Sequence, residues 1–410
     1  MKLLPPSSTK RVTELDVLRG IAIALVILTH LPFDPDPNIL GHTLLEKIKY
    51  KGWSGVDLFF VLSGFLISGL LFKEMSRTGT IRVGRFLLRR GLKIWPAYYV
   101  FFGLLLLYEI VKPTWRGGSP DWYLLELTWP NWLFLQNYAG YIHWNHTWSL
   151  AVEEHFYIAL PILLCVLIYY GSSQDRFSAV HRIPQITAVI CVVVLILRIL
   201  LYNQRGGQWG KCDLFLTHLR ADALMFGVLI GYLNHYRHDF LRRFASHSVL
   251  LMIGSLGVLI IAFLMPRWAP ICKGTFSRSL IYLAYAGLLV GAMFTSWEAF
   301  PRSARILAKP VVQSLRVLGI YSYTIYITHY CFDHIVSHDT LRDILTTHYS
   351  LSVLHAQSAI NFVYLCFGIL TGILLSHVVE RPVLRLRERF FPSRSRNAIQ
   401  NPSSLLVRLA

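Results

Sequence analysis

The stretch LDVLRGIAIALVILTH, residues 15–30, sets the reading of this chain. Most of its positions are Leu, Ile, Val or Ala, and it reads as a helix that sits in lipid. Yet it carries Asp16 and Arg19 near one end and His30 at the other. Eleven residues separate Arg19 from His30. At about 100° per residue they lie only about 20° past three full turns, on one face and about 16 Å apart along the axis.

Working outward, the rest of the chain has the same character. Of 410 residues, 54% are hydrophobic and 15% charged, where a soluble domain is about one quarter charged. Mean hydropathy is +0.47. Runs long enough to cross a bilayer core recur, at about 15–33, 55–73, 91–111, 147–170, 186–202, 213–235, 249–266, 278–296, 316–337 and 358–380. The ninth is the least apolar, because Tyr321, Ser322, Tyr323, Thr324, Tyr326 and Thr328 interrupt it.

The net charge of +18 would suggest nucleic acid in a soluble protein. Here the placement of the basic residues explains it. With the N-terminus inside, 26 of the 40 Lys and Arg fall on the inner side, 11 outside, and Arg19, Arg198 and Arg220 within spans. Cytoplasmic loops carry such an excess. The expected fold is an all-α integral membrane protein, a bundle of ten transmembrane helices with both termini cytoplasmic. Residues 1–14 are its N-tail, 15–385 its membrane domain and 386–410 a basic C-tail, disordered beyond about 392. Glu14, Asp16 and Arg19 interrupt any signal-peptide pattern, so the first run is read as a membrane helix. The loop at about 112–146, with Trp115, Trp122, Trp129, Trp132 and Trp144, suits the membrane interface. The six cysteines show no metal or redox spacing. Cys212 and Cys272 fall in outer loops, where an oxidising compartment permits a disulfide.

Ionisable groups inside a span mark a function or a buried pair. His30 is suited to take a proton near neutral pH; the plainer account is an interfacial histidine and a snorkelling Arg19. In GVDLFFVLSGFLISGLL, residues 55–71, Asp57 either caps the helix start or orients His30. Ser63, Gly64, Ser68 and Gly69 read as packing positions. In NHTWSLAVEEHFYIALP, residues 145–161, Glu153 and Glu154 lie just below Trp148. Ser149, Glu153 and Tyr157 share a face. A carboxylate there either supports an imidazole or pairs with Arg220 or Arg198. The sixth span opens DLFLTHLRADALMFG, residues 213–227, where Arg220 and Asp222 face different ways and suit a structural network, with substrate contact as the alternative. His329 in the ninth span reads as hydrogen-bonded architecture.

On the inner side, RVGRFLLRRGLKIWPAYY, residues 82–99, repeats basic residues at helical spacing: Arg82, Arg85 and Arg89, then Arg90 and Lys93. Clustered guanidiniums bind phosphates well, whether on a phosphorylated donor or on lipid headgroups. There is no Walker A or dinucleotide glycine motif. The residues thus suggest two sites, a basic one inside and a His/carboxylate one toward the outside, with Arg19 and His30 on the helix that joins them.

This pattern resembles the acyltransferase-3 family of integral membrane acyltransferases, the group that O-acetylates surface glycans. The Arg-x10-His pattern of its first helix matches Arg19 and His30. Its other elements resemble GVDLFFVLSGFLIS (55–68), Arg90 and Lys93 before Ile94-Trp95-Pro96, WSLAVEEHFY (148–157), LGIYSYTIYITH (318–329) and VVERP (378–382). The resemblance runs from about 12 to 385. It implies transfer of an acyl group, usually acetyl from cytoplasmic acetyl-CoA, to a hydroxyl of an exported or surface carbohydrate, in a bacterial inner membrane. It assigns His30 as the catalytic histidine and Glu153 as the glutamate that orients or charge-pairs it. Arg19, Arg90 and Lys93, with Arg89 beside them, would hold the donor. Asp57, Glu154, Trp148, Arg220 and Asp222 would support the substrate region.

Acyl-CoA, a carbohydrate acceptor and membrane lipid are the implied partners, with no metal and no nucleic acid. Lys93 stands where the family more often has Arg, and His155 where Gln is common. Some members carry a fused esterase-like domain; none is read here, so a later transfer step is expected to use another protein. His30 acts as a general base or as a nucleophile that carries the acyl group. The rival reading is a transporter or flippase of a polar lipid-linked glycan, against which no paired interrupted spans are seen. A scaffold in envelope synthesis would tolerate replacement of His30 and Glu153.

Overall fold

Long apolar runs separated by short polar turns give helices and nothing else here. The computed structural model describes residues 13–32, 48–139, 144–171, 177–210, 212–265, 269–295, 301–336 and 338–392, and among them there is no strand. In chain order the helices are α1 (Thr13–His30), α2 (Gly55–Thr78), α3 (Val83–Val111), α4 (Tyr123–Trp132), α5 (Trp148–Tyr169) and α6 (Ile183–Gln204). Then follow α7 (Ala221–Tyr236), α8 (His238–Ala245), α9 (Ser248–Leu264), α10 (Phe276–Phe294) and α11 (Arg302–Ile320). The last are α12 (Ser322–Thr328), α13 (Cys331–Ile335), α14 (His338–Asp343), α15 (Val353–Leu375) and α16 (Arg381–Phe390).

Each expected span overlaps a helix. By length and apolar character, 6 helices among the described residues are able to cross a membrane, or 7 if α8 and α9, bent by 77°, form one span. Three expected spans fall short for separate reasons. Helix α1 holds Glu14, Asp16 and Arg19 within 18 residues. Helix α7 has only 16 residues, because 3-10 turns at Asp213–Phe215 and Thr217–Leu219 precede it. The ninth span begins as the basic helix α11, with Arg302, Arg305, Lys309 and Arg316; Tyr321 then separates it from α12. The qualifying helices turn apolar side chains outward, among them Leu104, Leu107, Ile158, Ile162, Val189, Leu370 and Leu374. This inverts the soluble pattern, as a multi-pass membrane protein requires.

Helix α1 packs on α11 and α2, and α2 packs on α7. Glycine permits both crossings. A Cβ on Gly20 would stand 1.9 Å from the Leu315 carbonyl oxygen, and one on Gly319 would stand 1.7 Å from that of Asp16. Gly64 and Gly227 oppose one another in the same way across α2 and α7, at 2.0 Å from Leu224 O and 2.2 Å from Val61 O. Gly64 thus has the packing role expected of it, whereas a Cβ on Gly69 would meet open space.

Residues 83–90, which precede the expected third span, form the start of α3 with Arg82 at its N-cap, and the helix continues through Pro96. Four of the interface tryptophans are exposed, but Trp144 is buried, edge-on to Phe102 at 4.6 Å. Helix α15 passes through a π-helical turn at Ser376–Glu380 into α16. Residues 386–390 of the expected tail are therefore helical, whereas 1–12 and 393–410 lie outside the described residues. Cys212 and Cys272, for which a disulfide was considered, are free thiols.

Candidate active site

The bundle encloses a cavity of about 220 Å³ where α1, α2, α3, α5, α12 and α16 meet. Arg19, Arg90, Lys93 and Arg387 bring cationic groups to it, and Ser63, Ser149, Glu153, Tyr157, Tyr323, Tyr326 and Glu380 bring polar ones. Helical spacing explains much of this. Arg90 and Lys93 are three apart on α3, and Ser149, Glu153 and Tyr157 recur every four residues on α5, so each set faces one way.

Within the cavity Glu153 is held from two sides. Ser63 Oγ donates to Oε1 at 2.9 Å and Tyr157 OH to Oε2 at 2.5 Å. The Arg90 guanidinium lies over the Tyr157 ring, 5.5 Å from its centre. Among the described residues Arg90 and Lys93 form no ion pair. Arg19 contacts Asp16 at 3.5 Å. Arg89, expected beside Arg90, is turned away: it pairs with Glu388 at 2.9 Å and does not line the cavity. Neighbouring helical residues differ by about 100° in direction, which separates the two arginines. The Arg89–Glu388 pair ties α16 to α3, as does Arg387, which pairs with Glu388 at 2.7 Å and donates to the Arg89 carbonyl at 3.3 Å.

His30 lies elsewhere than expected relative to Glu153. Its Nδ1 is 2.9 Å from the Val26 carbonyl and 3.3 Å from His329 Nε2. Its ring meets Tyr330 edge-on at 5.3 Å. The hydrogen bonds of Glu153 go to Ser63 and Tyr157, so the carboxylate is not the partner of this imidazole. His30 does not line the cavity; side-chain contacts link the two, since Tyr326 on the cavity wall has its ring 5.6 Å from that of fully buried His329, which in turn meets His30. Tyr326 itself donates its one hydroxyl hydrogen to the His146 carbonyl at 2.6 Å and therefore accepts from Ser149 Oγ at 2.5 Å.

The remaining candidates form a separate network. Asp57 lies in the first turn of α2, as the helix-start reading asks, and its two oxygens pair not with His30 but with Arg220 at 2.6 Å and Arg278 at 3.3 Å. Asp222 pairs with Arg198 at 2.8 Å, and Arg198 also donates to the Leu219 carbonyl. The Arg220 guanidinium lies 5.4 Å from the ring centres of both Phe60 and Trp148, and that of Arg278 lies 3.7 Å from Trp53. Trp148 stacks on Phe215 at 4.8 Å. None of the five charged residues lines the cavity. The considered pairing of the glutamates with Arg198 or Arg220 is thus replaced by Asp222 and Asp57. Glu154 accepts from Trp95 Nε1 at 3.2 Å, and His155 meets Thr217 at 2.8 Å; neither lines the cavity.

Several cavity residues escaped the reading of the sequence. Ser63 looked like a packing position, Tyr323 and Tyr326 like interruptions of a span, and Arg387 like part of a basic tail. Only the i, i+4 relation of Ser149 and Glu153 carried a local signal. Among the described residues no group of three or more His, Cys, Asp or Glu is placed to hold a metal ion.

Comparison with known proteins agrees with the motifs. The chain is 25% identical over 347 residues to a peptidoglycan O-acetyltransferase, OatA, of Listeria monocytogenes serovar 1/2a (strain ATCC BAA-679 / EGD-e), covering 80% of this chain and 50% of that protein. It is 24% identical over 340 residues to an O-acetyltransferase OatA of Staphylococcus aureus (strain NCTC 8325 / PS 47), covering 79% and 51%. A putative O-acetyltransferase of Staphylococcus aureus (strain COL) is 29% identical over 232 residues, covering 53% and 34%. The chain thus spans between about a third and a half of the length of these relatives. No solved structure matches it. The acyltransferase-domain model of the acyltransferase-3 family matches residues 12–381, nearly the whole described bundle, and the chain belongs to that family.

Proposed function

We propose that this protein is a ten-helix membrane O-acyltransferase with both termini in the cytoplasm of a bacterial cell. It moves an acyl group, acetyl by the names of its relatives, from acyl-CoA to a hydroxyl of an exported or cell-surface carbohydrate. The observation that carries this reading is the cavity with Arg90 and Lys93 on its wall and, among the described residues, no ion pair made by either. Cations that make no direct ion pair beside such a space suit a polyphosphate ligand, and the CoA moiety presents one.

In this reading Arg19, Arg90 and Lys93 hold the donor phosphates, and Arg387 adds a fourth positive group. Glu153 holds the Tyr157 ring beneath Arg90 and so positions that guanidinium. About 16 Å along α1, the His30 imidazole takes the proton of the acceptor hydroxyl. The hydroxyl oxygen bonds to the acyl carbon, the C–S bond breaks, and the proton passes from His30 to the departing thiolate. Removing such a base costs about 10²–10⁴-fold in rate.

The test is turnover of labelled acetyl-CoA by the purified protein in lipid, with a glycan acceptor. Wild type releases CoA and labels the acceptor; His30→Gln loses that turnover by the factor given. A folded His30→Gln protein with full transferase activity would sink the assignment. Glycan movement without thioester turnover would instead establish the transporter reading.

A further inference from the structure

We infer that His329 is a positioning residue that fixes His30 in the tautomer whose Nε2 carries the lone pair; this rests on the reading of His30 as the base. A carbonyl oxygen has no proton to give. The Val26 carbonyl lies 2.9 Å from His30 Nδ1, and the Tyr326 carbonyl 2.7 Å from His329 Nδ1. Both Nδ1 atoms therefore carry hydrogen. In the neutral rings both Nε2 atoms are then bare. That is the arrangement in which His329 Nε2, 3.3 Å from His30 Nδ1, accepts from it rather than opposing it with a second N–H. His30 Nδ1–H is shared between the Val26 carbonyl and His329, and Nε2 is left as the one basic atom of the His30 ring.

The arrangement also serves the charged state. When His30 Nε2 takes a proton, Nδ1–H becomes the donor of an imidazolium, and a charge-assisted hydrogen bond to a neutral nitrogen is stronger than a neutral one. A carboxylate in this place orients and stabilises a catalytic imidazole in hydrolytic triads. Here a neutral histidine stands where, among the described residues, no carboxylate contact to His30 is found.

His329 is well held for the task. It is fully buried, and its backbone N–H bonds to the Ile325 carbonyl at 2.9 Å. The preceding Thr328 bonds to the Gly368 carbonyl on α15 at 2.9 Å. A Cβ on Gly368 would stand 3.0 Å from His329 Cα, so α15 braces this turn directly. His30, by contrast, is only partly buried. A fully buried acceptor thus sits behind a partly buried base.

The experiment compares His329→Phe, which removes the acceptor, with His329→Gln, which keeps one at the position of Nε2, and runs His30→Gln beside them. The assay is acetyl-CoA turnover by the full chain in lipid. In His329→Phe, kcat falls roughly tenfold to a hundredfold with the KM for acetyl-CoA unchanged. His329→Gln recovers most of that loss. Equal losses in both variants, a change confined to KM, or a folded His329→Phe with wild-type kcat overturns the proposal. If His30→Gln stays active, the base reading itself fails; if it is inactive while His329→Phe is not, only the positioning role fails. A readout that does not depend on the His329 variants folding is the ¹⁵N spectrum of the labelled wild-type protein. Its His30 signals, assigned by their disappearance in His30→Gln, show protonated Nδ1 and bare Nε2, and the opposite tautomer overturns the proposal whatever the kinetics.

Discussion

Two polar clusters sit inside this bundle, and they treat their charges differently. In the first, Asp57, Arg220 and Arg278 share one set of ion pairs, and Arg198 and Asp222 form another. Three guanidiniums share two carboxylates, and the faces of Trp53, Phe60 and Trp148 cover what remains. None of these residues opens onto the cavity. In the second, Arg90 and Lys93 stand on the cavity wall without an ion pair among the described residues, and Glu153 is held by two hydroxyls instead of a cation. Sequence makes the two clusters look alike, since each is a set of charges in an apolar surrounding. Geometry separates them: the first pairs its charges with one another across α2, α6, α7 and α10, whereas the second holds Arg90 and Lys93 on the cavity wall with no ion pair among the described residues.

The largest expected effect is a stability effect in the first cluster. Asp57→Asn leaves Arg220 and Arg278 without their carboxylate. Asp57 and Arg220 are each only 1% exposed. Breaking a buried pair by removing one partner costs about 3–5 kcal/mol. Thermal unfolding of the protein in lipid should show that loss, while any protein that remains folded keeps the wild-type KM for acetyl-CoA. An Asp57→Asn protein of normal stability but raised KM would move Asp57 into the donor site and erase the contrast.

The contrast was only partly legible in the sequence. Helical periodicity sufficed wherever the partners lie on one helix: it put Arg19 and His30 on one face, and Ser149, Glu153 and Tyr157 on another. It also found the apolar helices, because a bilayer asks for length and apolarity alone. Partner choice across helices has no such period. Asp57 and Arg220 are 163 residues apart, and neither carries a sign that the other is its ion-pair partner. Arg278 and Arg387 read as loop and tail charges for the same reason. Arg89 and Arg90 are adjacent and chemically alike, yet one meets Glu388 and the other the cavity. The α11–α12 break at Tyr321 was visible as weak hydropathy but not as a break, since polar residues within a span do not say how the backbone turns.

A middle-sized effect is expected at Arg90, now in binding rather than stability. Arg90→Gln removes a cation that has no ion-pair partner among the described residues, so the unfolding temperature should stay near wild type. A hydrogen bond to a charged group contributes about 1.5–3 kcal/mol, so the KM for acetyl-CoA should rise roughly tenfold to a hundredfold. Loss of stability with unchanged KM would place Arg90 with the structural cluster.

The smallest effect sharpens the second cluster further. Lys93 stands on the same wall as Arg90 but offers a point charge where an arginine would offer a planar fork. If the ligand there is a phosphate, Lys93→Arg adds a second parallel hydrogen bond and should lower the KM for acetyl-CoA on the order of threefold. If the ammonium only balances the charge of Glu153 and Glu380 across the cavity, a guanidinium does this equally well and KM should not move. The same substitution gives no gain with a short acyl-thioester donor that lacks the diphosphate. A gain on both donors would mean that Lys93 meets the acyl end, and would reverse the assignment of the cavity's basic wall.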